Sequence, residues 1–366
     1  MKTKKMKVLH VINNLGIGGA ERVLYLLLEE LTKNEDTEIT LVSLEGHGEL
    51  TDEFRKLPIK LKEFKFHLFV PFFERLDPCF RFRLWFFARN VDPDVIHGHL
   101  IRGEDFAKVL GGLLKKPVVT TSHDCCIFPG RKQKFFNRYL TRAVGVSELV
   151  AKHLRQIYKL PKAKVSVIPN AIKTSEFKKA TKVFDIGNPV FVYVGRLIDT
   201  KGVQFAISGL SKLVKKYPGL KLIIFGDGWY RENLEKLVQD NSYDFVEFKG
   251  KTRDIPQALS EGDIFVMPSE SEGFSMAVLE AIAAGKPIVA TKTGAIPNMI
   301  REGENGYFVK YGKAEDIAEA ADKLLKADIA KMQKVSQKIA DSHFSIEKVA
   351  REYYALYLSV LKEENV

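Results

Sequence analysis

Twelve short apolar runs, most of them followed by a turn and a stretch of helical periodicity, constrain this chain more than any other feature. Six fill the first half, at residues 7–13, 38–44, 95–98, 118–122, 143–146 and 166–169. After a polar stretch over 173–188, rich in Lys, Thr and Gly, the pattern restarts at 190–194, 220–226, 246–250, 264–268, 287–291 and 306–309. A strand covered on both faces reads as a continuous apolar run. Parallel strands need long crossovers, usually helices. The pattern therefore predicts an α/β chain of two Rossmann-like domains, residues 1–178 and 179–345. Periodicity over 21–32 and 202–217 supplies the first helix of each. A third segment, 346–366, carries a closing amphipathic helix with Val349, Tyr353, Leu356, Tyr357 and Val360 at near-helical spacing.

Composition narrows the class further. The chain has 366 residues, 45% hydrophobic and 28% charged, which excludes a disordered chain, a collagen-like repeat and a disulfide-stapled mini-protein. Its formal net charge of +11 is unevenly placed: residues 1–180 carry +12 and the remainder −1. Cys125 and Cys126 are adjacent and Cys79 stands alone, so no even disulfide framework or metal spacing exists, and a reducing cytoplasm is expected. The run that opens the chain, with His10, Asn13 and Asn14, is too short and polar for an export signal. No stretch approaches the ~18 uninterrupted apolar residues of a membrane span.

The motif with most chemical content is Glu272-Gly-Phe-Ser-Met-Ala-Val-Leu-Glu280. It follows the 264–268 run and opens a helix that ends at Gly285. With Ser275 as N-cap, the amides of residues 274–277 make an anion site from backbone alone. Glu280 then lies about 7.5 Å along the helix axis, where a carboxylate can accept from a vicinal diol. Glu272, ahead of the helix, can meet hydroxyls on the other side of the same anion. Spacing alone equally allows two surface glutamates flanking a capped helix. Arg196-Leu-Ile-Asp-Thr-Lys201-Gly202, after the 190–194 run, can clamp a diphosphate, Arg196 bidentately and Lys201 as a point charge. Two solvated loop charges are the plainer reading. Gly226-Asp227-Gly228 adds a third strand-end turn.

In the first half, Gly16-Ile-Gly18-Gly19-Ala-Glu21 lets backbone approach a phosphate or sugar. A dinucleotide fingerprint would need a third glycine where Glu21 stands, which weakens a dehydrogenase reading without eliminating it, since an acid, Glu45, follows the second strand. His123 ends a strand and could face a ligand, or be a core or surface histidine. His97 and His99 share one strand face, and two histidines do not make a zinc site. Asp92-Pro-Asp94 precedes its strand and reads as a surface turn.

Taken together these motifs resemble the family 4 retaining glycosyltransferases of the GT-B fold. Arg196 to Gly202, Gly226-Asp-Gly228, Phe248-Lys-Gly250 and Glu272 to Glu280 stand in the family's order. So do Pro93-Asp-Val-Ile-His97, Val146-Ser147-Glu148, Ile168-Pro-Asn-Ala171 and Phe344-Ser-Ile-Glu-Lys-Val349. The resemblance implies an acceptor-binding first domain and a nucleotide-sugar-binding second domain facing each other across a cleft, the last helix returning to the first. It implies transfer of a hexose or N-acetylhexosamine from a nucleotide-diphosphate sugar, UDP before GDP, with retained anomeric configuration and no metal or other cofactor. By match to the motif, Arg196 and Lys201 would bind the diphosphate and Glu280 the ribose. Glu272, with the amides of Gly273 and Phe274, would hold the sugar, Ser275 replacing the family's usual glycine. Gly18, Gly19 and Gly226 would approach the donor, Lys251 and Thr252 would meet the base, and His123 would orient the transferred sugar. A sugar-nucleotide epimerase of the same fold and a non-catalytic basic-surface binding protein are the rival readings.

The basic half is also aromatic. Residues 54–87 hold ten of the 25 phenylalanines, interleaved with Lys and Arg, and residues 131–142 repeat the character. Such a surface suits anionic headgroups; a phenylalanine core under a solvated basic face is the alternative. The expected partners are a sugar-nucleotide donor and a glycan or lipid-linked acceptor, with peripheral contact to the cytoplasmic face of the inner membrane, and no nucleic acid.

Overall fold

The apolar runs do form strands, and all of them pair in parallel. The structure, a computed structural model, describes residues 5–64, 78–123, 135–178 and 184–363. By internal contacts the chain divides into two units, Met1–Asn170 with Ile346–Val366, and Ala171–Ser345.

In the first unit, β1 (Met6–Ile12), β2 (Thr37–Ser43), β3 (Lys60–Glu63), β4 (Val95–His99), β5 (Val118–Ser122), β6 (Arg142–Gly145) and β7 (Val165–Val167) form one sheet. Its order is β3-β2-β1-β4-β5-β6-β7, so the direction of winding reverses between β1 and β4. The β1–β4 register sets His10 beside His97. The helix Gly19–Leu31 buries Val23, Leu24, Leu27, Leu28 and Leu31, the spacing of one apolar stripe. Ile346–Glu363 belongs to this unit and buries Val349, Tyr353, Tyr357 and Val360. β3 was not legible as a strand. It has four residues, three of them charged, at the sheet edge, where Lys60 reaches Glu38 at 2.5 Å.

The second unit holds β8 (Val190–Val194), β9 (Lys221–Phe225), β10 (Val246–Gly250), β11 (Ile264–Met267), β12 (Ile288–Thr291) and β13 (Gly306–Val309). The order β10-β9-β8-β11-β12-β13 reverses between β8 and β11. Strands β8, β9, β11 and β12 bury every apolar side chain they carry, and Lys286 is buried with its ammonium donating to the Gly262 carbonyl at 2.7 Å. Among the described residues no helix is long and apolar enough to cross a membrane.

Candidate active site

Doubly wound sheets bind ligands beyond the carboxyl ends of their strands, at the point where the winding reverses. In the second unit four turns converge there. Arg196, exposed, follows β8, and Lys201 closes a short turn, Asp199–Lys201. The turns after β8, β9 and β10 are laced together by backbone. Leu197 N–H donates to the Asp227 carbonyl at 3.0 Å, Tyr230 N–H to Leu197 at 3.0 Å, and Gly226 N–H to Gly250 at 2.8 Å. Gly226 is required by this lacing: its φ is +141°, and a Cβ would overlap the Gly195 carbonyl oxygen. Lys251 is exposed, 3.7 Å from the Asp227 carboxylate, and Thr252 Oγ1 accepts from Asp254 N–H at 3.1 Å.

The turn after β11 carries Glu272 and leads into the helix that carries Glu280. Ser275 caps the helix Met276–Ala283, its Oγ accepting from Val278 N–H at 3.4 Å and donating to Met267 Sδ at 3.2 Å. Glu280 is half-buried within that helix, and Phe274 is buried, its ring 6.0 Å from that of Phe344. Glu272 N–H donates to Thr293 Oγ1 at 3.4 Å, and Gly294, at φ +57°, packs on the carbonyls of Glu272 and Gly273. Glu270 N–H donates to the Thr200 carbonyl at 2.8 Å, joining this turn to the one after β8. The result is an ion pair that spacing did not reveal: Lys201 Nζ donates to Glu272 Oε1 at 2.7 Å. Beneath it Tyr193 donates its hydroxyl to the Arg196 carbonyl at 2.9 Å. Burial, then the Glu272 charge, holds that phenol well above its usual range, against Arg196.

In the first unit Gly18 precedes the helix Gly19–Leu31 in extended conformation, so conformational freedom is not its reason. A Cβ there would overlap the Glu21 carboxylate, which folds back over the helix start. Burial raises the Glu21 pKa. Gly19 lies exposed in the first turn. His123 directly follows β5, half-buried, and burial lowers its pKa to about 4. Around the β1–β4 reversal is a polar set that motif reading missed. Asn13 Oδ1 accepts from Gly103 N–H at 2.9 Å, Asn14 donates to Glu45 at 3.1 Å, and Arg102 pairs with Glu45. Buried Glu104 accepts from Ser122 Oγ at 2.9 Å, and burial lifts its pKa to about 7. The signal for this set was position alone: Asn13, Asn14 and Glu45 stand just past strands, Arg102 and Glu104 in the helix after β4, and Ser122 ends β5. Leu100, at φ +59°, begins the helix Leu100–Leu114 in a backbone region costly for a non-glycine residue.

β1 brings a third histidine to the pair on β4. His10, His97 and His99 are buried, with ligand-capable atoms within 4.8 Å of one another. Their nitrogens are largely engaged by hydrogen bonds. His10 Nδ1 meets His99 Nε2 at 3.0 Å, while His97 bonds Tyr357 Oη at 2.7 Å and Thr121 Oγ1 at 2.8 Å. Thr121 in turn meets Tyr353 Oη at 3.0 Å. Burial lowers all three imidazoles, His10 to about 3, and His10 Nε2 alone has no partner among the described residues. The arrangement is that of a hydrogen-bonded polar core.

The aromatic stretches divide. Phe54 and Phe64 are buried core. On the helix Pro78–Val91, Phe82 is 63% and Phe86 52% exposed, their rings 6.3 Å apart, with the Arg89 guanidinium 5.2 Å from the Trp85 ring centre. Phe135 is 54% exposed beneath Arg138, 3.8 Å away. Phe66, Phe69, Phe72, Phe73, Arg75, Cys125, Cys126 and Arg131 lie outside the described residues.

Two family models match the chain. Residues 17–176 match Glycosyltransferase Family 4, and residues 174–341 match Glycosyl transferases group 1. Sulfoquinovosyl transferase SQD2 of Arabidopsis thaliana is 38% identical over 133 residues, 35% of this chain and 25% of that protein. The lipopolysaccharide core biosynthesis glycosyltransferase LpsE of Rhizobium meliloti is 33% identical over 47% of this chain and 50% of its own. The chain thus matches half or less of the length of these curated relatives. Among solved structures, HepE of Anabaena in complex with UDP superposes with a TM-score of 0.82 at 20% identity, covering 97% of this chain and 100% of that one. That likeness shows the fold.

Proposed function

Because the chain belongs to the family 4 glycosyltransferases of the GT-B fold, we propose that it transfers a sugar from a nucleotide-diphosphate donor in glycoconjugate assembly. The observation that carries this reading is the second unit's strand-end cluster, where Arg196, Lys201, Glu272 and the capped helix start meet within one backbone-laced set of turns. In our assignment Arg196, Lys201 and the amides of residues 274–277 neutralise the diphosphate. Glu272 accepts from the sugar hydroxyls, Glu280 from the ribose, and the backbone at Lys251 and Thr252 meets the base. Gly18, Gly19 and His123 keep the donor-facing roles that the resemblance implies. The bond from the anomeric carbon to the diphosphate oxygen breaks while one forms to the acceptor hydroxyl, whose proton passes to the departing diphosphate. Retention of configuration, a hexose or N-acetylhexosamine, and transfer without metal complete the proposal.

UDP is the preferred nucleotide, a choice supported by the UDP complex of HepE. A glycan or lipid-linked acceptor is supported by the name of LpsE. We further assign the exposed aromatic and basic faces around Phe82 and Phe135 to contact with an anionic membrane. Melting temperatures measured with UDP-, GDP- and ADP-sugars test the donor reading. A UDP-sugar should raise the midpoint most, and Lys201→Ala should reduce that shift and abolish transfer while the variant stays folded. Absence of any shift with every donor sinks the reading.

A further inference from the structure

The group assigned to a diphosphate and the group assigned to its sugar are ion-paired with each other. Lys201 and Glu272, 2.7 Å apart, have side chains only 15% and 9% exposed. Backbone contacts anchor both turns. Lys201 closes a turn whose next residue, Gly202, sits at φ +71° against the Pro268 carbonyl, with no room for a Cβ. Glu272 is held by Thr293 and by Gly294 packed on its carbonyl, and the Glu270–Thr200 hydrogen bond fixes one turn to the other. Arg196 and Glu272 both bear electrostatically on the buried Tyr193 phenol, which places the second cation in the same field.

A carboxylate on the clamping ammonium has two opposite effects. It cancels part of the field that attracts a diphosphate, and its own charge repels phosphoryl oxygens. When the diphosphate carries a sugar, hydroxyl donors reach the carboxylate and satisfy it, because an ionised carboxylate can only accept hydrogen bonds. We propose that Glu272, through its pairing with Lys201, is the specificity residue that makes the site favour a diphosphate bearing a sugar over a bare one. After transfer the carboxylate has lost its hydroxyl donors and competes with the departing diphosphate for Lys201, which speeds product release. This inference rests on the donor-site assignment above.

Titration calorimetry on the full chain, with UDP and with UDP-glucose, tests it; GDP and GDP-mannose replace them if the melting comparison selects guanine. Glu272→Gln should bind the bare diphosphate about tenfold more tightly, the worth of ~1.4 kcal/mol, and the sugar nucleotide no better, so that the preference collapses. In a Lys201→Met background the same Gln substitution should gain much less. If Gln disturbs the turn, Glu272→Asp, which draws the carboxylate back by one methylene, must move the ratio in the same direction by less. Unchanged or weakened UDP binding in folded Glu272→Gln or Glu272→Asp overturns the inference. A wild-type chain that binds neither nucleotide overturns the donor-site assignment itself.

Discussion

Gly202 shows how much a single position can decide. It ends the turn that presents Lys201 and begins the helix Val203–Ser211, at φ +71° and pressed on the Pro268 carbonyl. Any L side chain there meets about 1–2 kcal/mol of left-handed strain, and the turn must also move away from β11. Gly202→Ala should therefore lower the denaturation midpoint and weaken nucleotide binding together, as read by urea melts and calorimetry on one preparation. A variant as stable and as tight as wild type would show that the turn tolerates the displacement. Arg196, Lys201, Glu272 and Glu280 were each legible as residue types at strand ends. The Lys201–Glu272 contact was not, since 71 residues separate the partners and only the β8–β11 adjacency brings them together.

Among the elements, the strand ladder of the first unit creates a property that no strand has alone. Parallel pairing of β1 with β4 assembles the histidine core, and the closing helix seals it with Tyr353 and Tyr357. In the unfolded chain these imidazoles titrate near 6.5; in the fold His10 is depressed to about 3, His123 to about 4, and His97 and His99 well below 6.5. Below pH 6.5 the unfolded chain therefore binds protons that the folded one refuses, so stability falls as pH drops from 6.5 towards 4. Each histidine contributes up to about 1.4 kcal/mol per pH unit. Glu104, raised from 4.5 to about 7, and Glu21, also raised by burial, work the other way, two groups against four. Urea melts at pH 7.5, 6.0 and 5.0 should show falling midpoints for the first unit; a flat profile would mean the core hydrates on acidification. Tyr357→Phe leaves His97 Nδ1 unsatisfied and should cost about 1–3 kcal/mol at neutral pH.

For the whole molecule the informative quantity is the asymmetry of charge, +12 in residues 1–180 against −1 in the rest. A membrane-facing role for the first half predicts flotation with anionic liposomes at low salt, loss at high salt as screening grows, and weaker flotation for Phe82→Ser with Phe86→Ser. Protein that stays at the bottom with anionic liposomes at low salt removes the membrane from the account. The chain's apolar runs and glycine turns were enough to determine the α/β class, its two-fold repetition and the strand-end position of the site motifs, because a buried parallel strand is largely apolar and a tight turn favours glycine. β3 escaped, being short, charged and on an edge. The tertiary structure alone decided which strands are neighbours, and with that the Lys201–Glu272 pair, the Glu45–Arg102 pair and the third histidine. Those contacts depend on strand order and register, which a local pattern of hydrophobicity does not encode.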